Sequence, residues 1–172
     1  MSPVLGRRIL VVGHPGAGKT TLATRLRPLL GLPVFHLDRL FWKPGWKVTE
    51  PDKWQKIQNK LVAGKKWIID GTYDSTLEIR LAAADTVIHL DFSTLRGTCG
   101  VLRRILSNHG QVRHDMGEGC PERLDWSFLV WTWTYRRRHR PGVIEALDRF
   151  KPSTRLITLT SPSEVRAFLA EM

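Results

Sequence analysis

Eight consecutive residues, Gly13-His14-Pro15-Gly16-Ala17-Gly18-Lys19-Thr20, match the pattern GxxxxGK[ST] in full. Each position has a chemical reason. Glycines leave backbone N–H groups unobstructed, so several can turn inward onto one anion. Lys19 can then reach β- and γ-phosphates, and the Thr20 hydroxyl can ligate Mg²⁺. Thr21 lies in the first turn of the helix that follows, whose positive end adds to the same place. The pattern is that of a nucleoside-triphosphate site.

Three aspartates stand directly after apolar runs: Asp38 after PVFHL, Asp70 after WII and Asp91 after TVIHL. If those runs are parallel strands, their carboxyl ends share the edge at which ligands collect in open α/β sheets. Asp70 reads as a carboxylate that holds the Mg²⁺ shell or orients a substrate hydroxyl. Asp38, beside Arg39, lies where a second substrate would enter, and substrate contact competes there with a loop cap. Asp91 is expected to cap or orient the helix that starts near Thr94. Asp85 precedes its run and belongs to the opposite edge, in a structural role.

Positive charge is the third ingredient. The 27 basic residues exceed the 16 acidic ones, for a net charge of +11. No lysine occurs between Lys66 and Lys151, whereas arginines crowd the stretch from Arg96 to Arg140. A guanidinium is a planar fork that matches phosphate oxygens, so this bias points to shaped phosphate sites over a diffuse basic coat. Arg103, Arg104, Arg113, Arg123, Arg136, Arg137, Arg138 and Arg140 are the candidates, and a solvated face is the alternative for any one of them. Trp42 and Trp46, in a Pro/Gly segment past Asp38, could wall an acceptor, with simple loop packing as the alternative. Trp54, Trp67, Trp126 and Trp133 have core spacing. His109, His114 and Cys120 match no strong zinc pattern.

Elements must hold these groups in place. Strands are expected at 8–12, 33–37, 67–69, 86–90 and 155–159, most of them β-branched and apolar on both faces, as buried parallel strands are. Helical spacing fills 19–30, 51–63, 94–106, 125–138 and 143–150. A last helix is signalled by Ser161 as N-cap, Pro162 in the first turn and Glu164 closing a capping box. Alternation of this kind gives an α/β fold with a parallel sheet covered on both sides. Two excursions interrupt it, 39–53 and 107–124. Hydrophobic residues make up 42% and charged residues 25%, which excludes a disordered or fibrous chain. Uncharged stretches reach only ten residues, too short to span a bilayer. Two cysteines, Cys99 and Cys120, support no disulfide scaffold, and the N-terminal residues carry no long apolar leader segment. A cytoplasmic location is the expectation.

The strings GHPGAGKTTLA (13–23), PVFHLDRLFWKPGW (33–46), KWIIDGTY (66–73), IRLAAADTVIHLD (79–91), RRIL (103–106) and DMGEGCPERLDWSFLVWTW (115–133) carry a likeness that covers nearly the whole chain. It resembles the adenylate-kinase-related P-loop kinases, including the shikimate-kinase type. Within them it is most similar to the small bacterial FlaR-like group labelled "DNA topology modulation protein".

The resemblance implies one domain over 1–172, a three-layer P-loop kinase fold with five parallel strands in the order 2-3-1-4-5. It implies a substrate-binding insert at 39–63 and a lid at 107–124. ATP would sit on Gly13 to Thr20 with Thr160 beside the adenine, and the acceptor near Asp38, Arg39 and Arg80. Lid-side arginines among Arg104, Arg113, Arg123, Arg137 and Arg138 would clamp phosphates. One departure bears on the acceptor. Nucleoside monophosphate kinases carry Asp-Gly-Phe-Pro-Arg after the third strand, whereas this chain has Asp70-Gly71-Thr72-Tyr73-Asp74 with no arginine before Arg80. That puts AMP in doubt and leaves another small hydroxyl or phosphate compound open. The leading expectation is an Mg²⁺/ATP-dependent phosphotransferase acting on a nucleotide or small metabolite. The alternative is a nucleotide-dependent nucleic-acid-binding or regulatory protein, whose backbone binding would weaken steeply with salt.

Overall fold

A computed structural model describes residues 5–172. The first four residues of the segment read above for a leader lie outside it. Five strands form one parallel sheet: β1 (Arg8–Gly13), β2 (Val34–His36), β5 (Trp67–Asp70), β6 (Thr86–Leu90) and β7 (Arg155–Leu159). Their order is β2-β5-β1-β6-β7, which in chain order is the expected 2-3-1-4-5. Two further short strands, β3 (Trp42–Lys43) and β4 (Lys47–Val48), make a separate antiparallel hairpin in the first excursion.

The sheet is covered on both faces because its strands alternate between two cores. Ile9 and Val11 face a cluster with Leu22, Ala23 and Leu26 of α1 (Lys19–Leu30) and Phe168 of α8 (Pro162–Ala170). Leu10 and Val12 face the other way, towards Trp54 of α3 (Pro51–Val62), Leu77 and Leu81 of α4 (Leu77–Ala83), and Val143 and Leu147 of α7 (Arg140–Phe150). Ile9 to Val12 have no exposed surface at all. At about 1.5–3 kcal/mol for each such side chain, this four-residue run is among the strongest anchors of the fold. Trp54 and Trp67 are buried, as their spacing indicates.

Register brings the functional groups to one edge. Val11 pairs with Asp70, and Gly13 with Leu90, so the phosphate loop, Asp70 and Asp91 all leave the sheet on the same side. At the opposite edge Asp85 accepts the backbone N–H groups of Arg7 and Arg8 at 3.0–3.1 Å, the structural role expected of it. In α8 the Ser161 hydroxyl accepts the Glu164 N–H at 3.3 Å. The return arm differs from a standard capping box, because the Glu164 carboxylate takes the Thr160 N–H and hydroxyl at 2.8 and 2.7 Å.

Other differences are local. A five-residue helix α2 (Leu37–Phe41) starts immediately after β2, and α4 follows β5; both are shorter than a periodicity reading resolves. Helix α5 (Thr94–Asn108) runs two residues further than expected, and Ser93, not Asp91, caps it by accepting the Arg96 N–H. Helix α6 (Trp126–Arg138) corrects the core assignment of Trp126 and Trp133, which are 72% and 56% exposed. This helix carries apolar residues around its whole circumference. Thr132 and Tyr135 lie on the buried side, which leaves Trp126, Val130 and Trp133 outside. Among the described residues no helix is long and apolar enough to cross a membrane.

Candidate active site

The loop between β1 and α1 is held by close backbone approach. Gly16 and Gly18 have left-handed φ values of 74° and 88°, a conformation that costs other residues dearly. Helix α5 presses directly on it. A Cβ on Gly100 would stand 2.2 Å from the Gly16 carbonyl oxygen, and one on Gly97 would stand 2.0 Å from His14 Nδ1. His14 is buried behind the loop, with Nδ1 2.7 Å from the Pro15 oxygen and its ring edge-on to Tyr135. Burial lowers its pKa, so its role is to brace the loop as a neutral ring.

Lys19 Nζ donates to the Gly13 and His14 carbonyls at 2.9 and 3.0 Å. Burial brings its pKa down to about 8, against the opposing pull of Asp38 and Asp70. It therefore still carries its proton at neutral pH, in surroundings that favour an anion beside it. Thr72 fastens the next strand end to the loop. Its hydroxyl donates to the Gly13 oxygen at 3.1 Å and lies 3.2 Å from the Gly13 nitrogen.

A cleft of about 1090 Å³ opens in front of the loop. Asp38, Asp70, Trp42, Trp46, Gly71, Arg104, Arg113 and Arg123 line it together with Gly13, Pro15, Gly16, Gly18, Lys19, Thr20 and Thr21. Asp38, from α2, accepts a 2.6 Å hydrogen bond from the Tyr73 hydroxyl. Burial raises the Asp38 pKa and the charge of Asp70 adds to the rise, while the Tyr73 bond and Lys19 oppose it. Tyr73 holds a left-handed φ of 42°, an uncommon conformation for a bulky residue, and one that here aims its hydroxyl at the carboxylate. Asp70 lies 2.9 Å from His36 Nδ1. Burial opposes protonation of His36, but the hydrogen bond and charge of Asp70 prevail and its pKa is raised.

The second excursion closes the cleft with ion pairs. Thr20 Oγ donates to Asp115 Oδ2 at 3.1 Å, and Arg113 reaches the same oxygen at 3.3 Å. Arg113 and Arg104 both meet Glu122 Oε2, at 2.9 and 3.2 Å. Arg123 lies over the Trp46 ring, 5.3 Å from its centroid, and 3.8 Å from Asp125. The two excursions also clasp each other. Gly45 N–H donates to the Gly119 oxygen at 3.0 Å, the Cys120 thiol lies 3.1 Å from the Lys43 oxygen, and Gly117 packs on Trp42 where a Cβ would stand 2.1 Å from its oxygen.

Several expected site residues stand elsewhere. Arg80 has no exposure, and its guanidinium donates to the carbonyls of Gly71, Thr72 and Tyr73. It is a buried strut beneath the site, with its terminal nitrogens on the backbone, and it does not line the cleft. Arg137 and Arg138 are exposed in the last turn of α6 and do not line the cleft. Arg39 is likewise exposed outside it. Thr160 spends its N–H and hydroxyl on Glu164. Asp91 is structural, but through a bidentate pair with Arg140 at 2.6 and 2.7 Å that holds its pKa low.

Sequence reasoning overlooked Tyr73, His36, Asp115 and Glu122. Tyr73 was visible in the Asp-Gly-Thr-Tyr string, and the two acids were visible as carboxylates inside an arginine-rich stretch. Among the described residues no three His, Cys, Asp or Glu side chains converge as metal ligands. Mg²⁺ needs less than that, since it commonly takes one or two carboxylates with phosphate and water. The hard oxygen donors at Thr20, Asp70 and Asp115 fit such a cation.

No family model matches the chain, and no curated protein does. Among solved structures, it is similar to a shikimate kinase from Bacteroides thetaiotaomicron, at 16% identity and a TM-score of 0.48, over 95% of this chain and 94% of that one. The strand order and the loop themselves define the class: a three-layer α/β protein with a P-loop at the carboxyl edge of its sheet.

Proposed function

We propose that the protein is an ATP- and Mg²⁺-dependent phosphotransferase that passes the γ-phosphoryl group to a hydroxyl of a small molecule. The supporting observation is one cleft in which the phosphate loop, Lys19, Arg104 and Arg113 face the carboxylates Asp38 and Asp70. Phosphoryl transfer is largely positioning and charge neutralisation, and these groups divide that work. The loop N–H groups and Lys19 would hold the β- and γ-phosphates, with Arg104 and Arg113 on the phosphoryl oxygens. Thr20 and Asp70, with Asp115 behind Thr20, would hold Mg²⁺, whose chemistry is to offset charge on the phosphate oxygens.

Asp38 is the better placed base. Its pKa is raised by burial, whereas Asp70 is engaged with His36. The acceptor oxygen forms its bond to the γ-phosphorus as the bond to the β,γ-bridging oxygen breaks. The acceptor proton passes to Asp38, and ADP leaves. The narrower kinship with the topology-modulation group, the single-domain organisation and a cytoplasmic site of action belong to the same reading.

A screen of small hydroxyl compounds with γ-labelled ATP tests it. Labelled product is expected from wild type, and Lys19→Ala is expected to lose at least about 10²-fold in turnover with its circular dichroism unchanged. Label reaching only water across the screen would overturn the reading. So would nucleotide hydrolysis that depends on nucleic acid and collapses with salt, which would favour the nucleic-acid alternative.

A further inference from the structure

Helices α5 and α6 have two unlike sides. The inner side of the pair lines the cleft, through Gly100, Arg104 and Asn108 of α5 and Ser127, Phe128 and Trp131 of α6. The outer side carries large apolar side chains exposed to solvent: Leu95, Leu102 and Leu106 on α5, and Trp126, Val130 and Trp133 on α6. On each helix the spacing of three, four or seven keeps these residues on one stripe. A groove joins the two stripes, with Ile105 and Leu129 between them and Thr98 and His109 as its polar members. A contiguous apolar face of this kind marks an interaction surface.

Charge at the rim says what the face meets. Residues 94–108 and 126–138 hold six arginines and no aspartate or glutamate. Arg104 and Arg136 are paired, with Glu122 and Asp91. Arg96, Arg103, Arg137 and Arg138 are exposed, and none of them is ion-paired among the described residues. Arg96 and Arg103 are two turns apart and flank the leucine stripe, while Arg137 extends the Trp126–Val130–Trp133 stripe by one turn. The acids nearest in sequence are committed elsewhere. Glu122 is buried against Arg104 and Arg113, Asp125 caps α6 and lies 3.8 Å from Arg123, and Glu118 stands between glycines that pack on the β3–β4 hairpin.

A second copy of the chain fits this face poorly. A two-fold contact would set arginine against arginine, with no acid on either helix to receive them. An anionic bilayer surface suits both parts of it. Tryptophan rings sit at the headgroup level, leucines reach the acyl boundary, and guanidinium groups meet lipid phosphates. We infer that the outer face of α5 and α6 docks peripherally on an anionic lipid surface. Arg104 stands two residues from both Leu102 and Leu106, on the opposite side of α5, so the cleft faces away from the docked membrane. The inference is independent of the kinase reading above.

Vesicle flotation of the full-length protein tests it. One vesicle set is phosphatidylcholine alone, and the other carries a roughly one-quarter share of phosphatidylglycerol. Partitioning onto the anionic set is expected to be about 10-fold or more the stronger, and to weaken as salt is raised. The pair Trp126→Ser/Trp133→Ser is expected to lower it about 10-fold, and Arg103→Gln/Arg137→Gln to do the same. None of these four residues lines the cleft, so circular dichroism and affinity for an ATP analogue should hold. Lys56→Gln/Lys60→Gln removes two exposed cations from α3 and should change partitioning by less than about threefold. Quenching of the unaltered protein's tryptophan fluorescence by brominated acyl chains is expected as well, and needs no variant. Equal partitioning onto both vesicle sets, no partitioning, or no quenching would overturn the inference. So would a loss with the α3 pair as large as with the arginine pair, which would reveal a diffuse basic coat. A dimer that Trp126→Ser/Trp133→Ser dissolves in analytical ultracentrifugation, without vesicle binding, would give the face to a second copy instead.

Discussion

At the phosphate-loop end of the cleft, the eight residues Gly13 to Thr20 supply backbone N–H donors, one lysine and one threonine hydroxyl, with Arg104 and Arg113 brought in from α5 and the second excursion. At the other end they are side chains gathered from α2, the β3–β4 hairpin, the turn after β5 and the C-terminus of α6. The first end is shaped by what is missing, since glycines at 16, 97 and 100 let loop and helix touch. The second is shaped by what is added: rings, carboxylates and a strained tyrosine. A site built from backbone is tied to one ligand chemistry. A site built from side chains on excursions can change its acceptor without disturbing the sheet.

The sharpest way to break this contrast is Asp38→Asn. It should cut kcat by about 10²-fold or more, in the range of general-base contributions, while ATP affinity by fluorescence titration stays within about twofold. Because it removes a buried charge whose pKa is raised, the denaturant midpoint should hold or rise. A matching loss of ATP affinity would mean that the two ends are one.

Gly100→Ala probes the backbone end. Its Cβ would collide with the Gly16 oxygen, so unfolding should become easier by about 1–3 kcal/mol. ATP affinity should fall with it, and urea denaturation with nucleotide titration measures both.

Tyr73→Phe sharpens the other end. Asp38 works as a base only when ionised, so activity falls as pH drops through its pKa. The Tyr73 hydroxyl lowers that pKa, so its removal should move the acidic limb of the kcat/KM profile to higher pH. A limb that stays in place, or moves to lower pH, would show that Asp38 is not the base.

The smallest effect belongs to the outer face of α6. Trp133→Ser should change stability by less than about 0.5 kcal/mol, whereas Trp67→Ala in the core should cost about 3–5 kcal/mol.

Legibility followed the same division. The loop could be read because its chemistry is local, and the strands because buried parallel strands announce themselves as short apolar runs, while their order came from the resemblance. Asp38 and Asp70 were found because they end such runs. Tyr73 and Glu122 were not, because their importance lies in partners 35 and 18 residues distant, Asp38 and Arg104. Arg80 was expected in the site from the resemblance, and Arg137 and Arg138 from the resemblance together with the arginine-rich stretch, neither of which says which way a side chain faces. The tryptophans of α6 failed for a related reason: an apolar pattern all round a helix leaves its buried side undetermined.

The contact between α5 and the loop has a mechanical consequence. Gly97 and Arg104 are seven residues apart, two turns along one face and about 10 Å along the axis. The helix that leans on the loop at one point thus carries the cleft-lining Arg104 at another, and it sets the span between them. Arg113 and Arg123 stand on the second excursion, whereas Arg104 is set at a constant span from the loop by its own helix. A mutation that displaces the loop would displace this arginine in step, so in the proposed kinase the two ends of the phosphate grip would move as a single lever.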